Sequence, residues 1–285
     1  MALQGSGQIS LANIQTEFGG SNPISLNEYY RNGLYVTSNN TGVPTSGVIS
    51  LSQFYSTTAQ FSFTISSNYS TPQDLRTLAL AAGWDGTDYL VVTNSAIISS
   101  NTTASAALTI SGSFPNGVLL INNGTIVGMG GNGGYAESNG GTREGYAGGS
   151  AILVSSNTSI NNAGTIAGGG GGGSSSTSFG WSGTILTGGG GGGASGLTAA
   201  GAGFCYYNST AQPSQYDAAT GLYSIGGATS PGYISGVVAP QAGYGGSWGS
   251  AGGAGGYGGG AGGAAVSGNS YVTWVATGTR YGALV

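Results

Sequence analysis

The sequence predicts a mostly β and irregular chain in three parts. These are a short N-terminal helical module, a small β-rich domain with one helix, and a C-terminal sandwich of polyglycine II helices. Three observations carry the prediction. Ile-Ser-Leu occurs at 9–11, 24–26 and 49–51, each time as a helix start. Short alternating apolar runs punctuated by Gly, Asn, Ser and Pro fill residues 58–127. Most of the 61 Gly then fall after residue 128, in runs such as Gly168–Gly173 and Gly188–Gly193. A β-solenoid with Asn-rich turns is the alternative for the glycine-rich part, because it accounts for the repeated Asn-Asn.

In residues 1–57, Ser10, Ser25 and Ser50 stand at N-cap positions, and Glu28 and Gln53 lie three residues past the second and third Ser, as a capping box requires. Ile9, Ile24 and Ile49 pair with Ile14, Tyr29 and Phe54 in the hydrophobic-staple pattern. Three short helical turns are expected, ending near Gly19-Gly20, Asn32-Gly33 and Ser56. Helices this short are not stable alone, so the block is expected to gain order by docking.

Residues 58–127 read as a compact unit. Phe61–Ile65 alternates as a strand. Thr71-Pro72-Gln73-Asp74 reads as a helix opening with Thr71 at the cap; Leu75, Leu78, Ala79 and Ala82 form the apolar face and Gly83 the stop. Strands are expected at Tyr89–Val92, Ala96–Ser99, Ala106–Ile110 and Val118–Ile121.

Residues 128–285 repeat a strand-to-glycine handover. Gly124-Thr125-Ile126-Val127-Gly128, Gly164-Thr165-Ile166-Ala167-Gly168 and Gly183-Thr184-Ile185-Leu186-Thr187-Gly188 each lead into Gly. Such internal repetition points to stacked architecture. From Gly243 to Gly258 every third residue is Gly. A period of three matches the left-handed polyproline II helix, which makes no internal hydrogen bonds. Without Cβ atoms such rods can lie side by side and bond to one another through their backbones. Larger residues then belong on outward edges: Trp248 with Tyr257, and Met129 with Asn132 and Tyr135. A collagen triple helix is disfavoured, since Gly243–Gly263 contains no Pro. Segments 135–144, 174–187 and 197–242 between the runs read as loops.

Composition narrows the chemistry. Only 4% of residues are charged, the basic residues are four Arg, and the net charge is −4, which leaves no basic patch for nucleic acid. Mean hydropathy of +0.08 and 10% aromatic residues, seventeen of them Tyr, exceed what a solvated linker carries. No apolar run reaches membrane-spanning length, and the first residues lack signal-peptide character, so synthesis in a cytoplasm is expected. The single Cys205 allows no internal disulfide and reads as a small buried side chain. With no Lys and no His there is neither a P-loop nor a Ser-His-Asp triad, and no common zinc site. Gly128, Gly130 and Gly133 match a dinucleotide motif, but no helix pattern follows. Asp85 and Asp88 read as a turn, with a glycosidase pair as the other possibility. No enzyme, cofactor or metal is expected.

Several stretches resemble a known family. Pro44-Thr45-Ser46-Gly47…Ile49–Tyr55 is similar to modules of bacteriophage tail proteins, and Leu80–Gly86 and Phe114-Pro115…Ile121–Gly131 look like tail-tip proteins. The Gly blocks and the ending Val266–Asn269…Trp274…Thr277–Arg280 resemble glycine-rich receptor-binding proteins, notably the distal long-tail-fibre adhesins of T-even phages. That resemblance implies a virion protein at the tail tip or tail fibre. It implies polyglycine II helices that display loops to a bacterial outer-membrane protein or surface glycan. It also implies an N-terminal region bound to other tail or fibre proteins. The alternative is a purely structural tail component without receptor binding. Aromatic side chains on rigid frames make effective contacts, which singles out Phe179, Trp181, Tyr206, Tyr207, Tyr216, Tyr223 and Tyr233 as receptor-binding candidates.

Overall fold

A computed structural model describes the chain apart from residues 1–2, 38–39, 135–143, 176–178, 182–183, 188–192, 194, 199–204, 208–209 and 213–241. The fold is mostly β, with two α-helices among the described residues.

The N-terminal module follows its three motifs closely. Helix α1 (Leu11–Phe18) and the single 3-10 turns Leu26–Tyr29 and Leu51–Phe54 each start at the expected Ser and each carry a capping box, with Asn13 completing the first. The module has a core of its own, to which all three turns contribute. Ile14, Tyr29 and Phe54, the fourth residues of the three turns, are fully buried with Val43 beside them. Tyr29 and Phe18 both meet Phe54 edge to face. Burying large apolar groups from all three turns together offsets the poor stability of each.

From residue 60 the chain winds through three parallel sheets in turn. The first turn is β1 (Gln60–Ile65), a bridge at Tyr69, and β2 (Gln73–Asp74) leading into α2 (Leu75–Ala81). The second is β3 (Tyr89–Asn94), β4 (Ile97–Ser99) and β5 (Leu108–Ile110). The third is β6 (Val118–Asn122), β7 (Thr125–Val127) and β8 (Ile152–Val154). β9 (Thr158–Asn162) and β10 (Thr165–Ala167) begin the fourth. Four further strands, β11 (Phe179–Trp181), β12 (Thr184–Thr187), β13 (Cys205–Tyr207) and β14 (Thr210–Gln212), lie in a long excursion. β15 (Val266–Ser267) closes the fourth turn, and β16 (Val272–Ala276) and β17 (Thr279–Tyr281) make the last. The sheets are β1-β3-β6-β9-β16, β4-β7-β10-β17 and β2-β5-β8-β15, parallel throughout. This is a three-sided solenoid. The solenoid alternative concerns only the glycine-rich part, yet the solenoid includes residues 60–127, whose strands pair directly with those beyond residue 150.

Stacked rungs place like residues on like. Ile98, Ile126 and Ile166 are in register and fully buried, as are Leu108, Ile152 and Val266. Each such side chain is worth about 1.5–3 kcal/mol relative to exposure. At the corner between the first two sheets, Asn94 Nδ2 donates to Asn122 Oδ1 (2.8 Å) and Asn122 Nδ2 to Asn162 Oδ1 (2.7 Å), all three buried. Asn162 Nδ2 ends the column on the Thr277 carbonyl at 2.9 Å. The repeated Asn is therefore a turn ladder that satisfies a buried corner.

Helix α2 starts later than expected. Asp74, not Thr71, is its N-cap and accepts from Thr77 N at 2.7 Å, because Gln73 N is bonded to the Ala107 carbonyl at 2.8 Å and holds that stretch extended. Leu75 and Ala79 are buried, whereas Ala82 is exposed.

Candidate functional site

Both glycine-rich excursions, 128–151 and 168–265, leave the second sheet and return to the third. The equivalent connection one turn earlier spans only residues 100–107. The two excursions start side by side, because β7 and β10 are neighbours in register. Their continuations stay paired beyond the strands: Gly128 N donates to Ala167 O, Gly131 N to Gly170 O and Gly134 N to Gly173 O, at 2.8–2.9 Å.

The same step of three recurs on the other sides of the run. Gly145, Gly148 and Ala151 donate to Gly258, Ala261 and Ala264. Gly243, Gly246 and Gly249 donate to Ser174, Gly171 and Gly168 in the opposite direction. Gly169 and Gly172 donate to Gly149 and Tyr146, while their own carbonyls accept from Gly263 and Gly260. Successive residues of 168–175 thus bond in turn to different neighbours. The whole stretch is buried although it contains no apolar side chain. Gly172 shows why glycine is needed: a Cβ there would overlap the Asn132 carbonyl.

The expectation for large residues is only partly met. Asn132 is exposed, but Met129 and Trp248 are buried rather than on an outward edge. Trp248 packs on Val127 and Ala167 against Tyr281, and its indole N–H donates to Ser195 O at 3.2 Å. It seals the base of the glycine layers to the solenoid, where a flat apolar group has neighbours to bury against. The third expected handover also differs. Thr184–Thr187 belongs to the separate sheet β11-β12-β13-β14, while the true third member of the Thr-Ile stack is Thr279-Arg280-Tyr281 of β17.

The candidate binding residues fall on that separate antiparallel sheet or beyond the described residues. Phe179 stands opposite Leu186, and Leu186 opposite Tyr207, so Phe179 and Tyr207 share one cross-strand row. Trp181 pairs with Thr184, and Tyr206 with Thr187 and Ala211. Segments read as loops therefore carry the strands Phe179–Trp181, Thr184–Thr187, Cys205–Tyr207 and Thr210–Gln212, where aromatic and β-branched residues favour pairing. Tyr216, Tyr223 and Tyr233 lie outside the described residues.

Asp85 and Asp88 occupy a turn beside a pocket of about 280 Å³ lined by residues 32–37 together with Gly83, Asp85, Thr87 and Asp88. Asp85 accepts from Thr87 N, Thr87 Oγ1 and Asp88 N at 2.8–3.1 Å. Burial works to raise its pKa, but these hydrogen bonds outweigh it and the net shift is downward. Asp88 is pushed up to about 6, by burial first and by the Asp85 charge second. The pair builds a turn, as its spacing suggests. Among the described residues no group of His, Cys, Asp or Glu has a metal-binding arrangement.

Comparison with known proteins then decides the family. Residues 60–285 match the family model of the phage tail fibre adhesin Gp38. The chain belongs to the phage tail fibre adhesins. One similar solved structure is the gp37-gp38 adhesin tip complex of the bacteriophage S16 long tail fibre. It is 26% identical with a TM-score of 0.54, over 85% of this chain and 88% of that one. No curated protein matches the sequence. Residues 1–59, including the adhesin's capped N-terminal module, lie outside the family match. No helix among the described residues is long and apolar enough to cross a membrane.

Proposed function

We propose that this adhesin recognises a receptor on the host bacterial surface through the segments between its glycine runs, displayed on a polyglycine II scaffold. The observation that carries the reading is the step-of-three bonding around 168–175. A helix with three residues per turn and no internal hydrogen bonds aims each successive backbone group about 120° further round. A rod so bonded needs no side chains for cohesion, and the chain between rods is left free to carry recognition. The aromatic row of β11 and β13, with Tyr216, Tyr223 and Tyr233, forms the contact surface for an outer-membrane protein or a surface glycan. Residues 1–57 mount the adhesin on other proteins of the tail fibre, and the virion tail is its place of work.

Purified full-length chain is expected to bind host cells and to block phage adsorption in a competition assay. Exchange of residues 197–242 for those of a related adhesin is expected to transfer host range. A chain that binds no cells and leaves adsorption unchanged would instead be a structural tail component.

A further inference from the structure

The chain reverses direction twice among the last glycine runs. Near the solenoid it turns at Trp248–Ser250, where Ser250 N donates to Ser247 O at 2.9 Å and Trp248 is buried. At the far end it bends at Gly255–Tyr257. Step-of-three pairing must break there, because the backbone groups of a reversing chain no longer face a neighbouring run. Three bonds reach that bend from the end of the buried run 168–175. Gly255 N donates to Ser174 Oγ at 2.7 Å, Ser174 Oγ donates to the Tyr257 carbonyl at 2.6 Å, and Gly256 N donates to Ser175 O at 2.9 Å. A hydroxyl is donor and acceptor at once, so one side chain serves both an N–H and a carbonyl of the bend. It works as capping side chains do at helix ends, where regular backbone pairing also runs out.

Ser174 is fully buried and joins more than the bend. Its N–H donates to Gly253 O at 3.1 Å, and its carbonyl accepts from Gly243 N at 2.8 Å. That last bond sits where segment 174–187 starts and segment 197–242 ends. Phe179 and Trp181 lie in the first of these segments, and all the Tyr candidates lie in the second. We propose that Ser174 is a positioning residue for recognition: its hydroxyl clasps the far bend and so fixes the common root of both aromatic segments. The assignment rests on the display of those segments by a polyglycine II scaffold. A root held in one place reduces the ordering entropy that the segments lose on binding.

The test compares single hydroxyl deletions in the full chain. Ser174→Ala is expected to weaken host-cell binding about fivefold. Its thermal unfolding midpoint is expected to stay within about 2 °C of the parent, because the bend opens locally. Ser250→Ala removes an exposed hydroxyl from the other turn and is expected to bind as the parent does. Position is read directly by pulsed electron spin resonance, with labels on Asn157→Cys and Ala254→Cys, both exposed, in a Cys205→Ser background. The parent pair is expected to give one narrow distance, and Ser174→Ala a distribution about twice as wide. Parental width in Ser174→Ala, equal loss of binding in Ser250→Ala, or a loss of binding matched by a lowered unfolding midpoint would overturn the clasp. A parent chain that gives a narrow distance but binds no cells would overturn the receptor reading, and the distances alone then decide the clasp. A broad distance in the parent would overturn the scaffold reading and the clasp with it.

Discussion

The solenoid and the glycine layers solve one problem in opposite ways. In the solenoid, Ile98, Ile126 and Ile166 stack through their side chains, and the backbone bonds of parallel strands follow. In the glycine layers, residues 168–173 are equally buried, yet backbone groups make the contacts and every side chain is a hydrogen. Removing carbon should therefore damage the first region, and adding carbon the second. The two are continuous: the ladder from β7 to β10 becomes the ladder from Gly128–Gly134 to Ala167–Gly173 where β-branched residues give way to Gly.

Core truncation gives the largest expected effect. Ile126→Ala should cost about 3–4 kcal/mol in denaturant unfolding, since the side chain is fully buried between two in-register Ile. Asn122→Ala should follow at roughly 3 kcal/mol, because it leaves one N–H of the Asn94 amide and the Asn162 Oδ1 unpaired in a buried corner. The inverse test lies in the glycine layers. Gly172→Ala should cost about 2–3 kcal/mol by forcing the 128–134 run away. Gly258→Ala meets nothing within 4 Å and should stay within about 0.5 kcal/mol of the parent. Equal effects at Gly172 and Gly258 would break the comparison, because they would mean that close approach of backbones does not hold the layers.

The sequence announced some of this and concealed the rest. The capped turns were legible because the Ser caps, Ile staples and buried fourth residues are all local. The strands β3 to β7 were legible for the same reason. What joins them was not. Asn94, Asn122 and Asn162 touch across gaps of 28 and 40 residues, a register set by tertiary stacking. The last rung was missed because Arg280 stands where its predecessors have Ile, so Thr279-Arg280-Tyr281 does not read as their repeat. Its guanidinium instead lies over the Trp274 ring at 4.7 Å, which lets a charged residue end the stack. Trp248 was placed on an outward edge by its period of three. That period says which residues share an edge, not which edge meets the solenoid. For the candidate site, composition pointed to aromatic segments between the runs but could not separate β11 and β13 from loops.

A small pH effect tests where the N-terminal module meets the solenoid, a junction formed by neither device. Asp88, beside the pocket between residues 32–37 and 83–88, has a pKa of about 6 in the fold against an ordinary 3.8. Between those values the folded chain holds a proton that the unfolded chain has released. Stability therefore falls as pH rises from about 4 to about 6 and levels off above. Asp88 is half exposed, so screening should keep the change below about 1 kcal/mol. Asp88→Asn should remove this part of the pH dependence, read as a flatter plot of unfolding midpoint against pH. An unchanged slope would mean that Asp88 keeps its water at the junction and that the module rests against the turn without drying it.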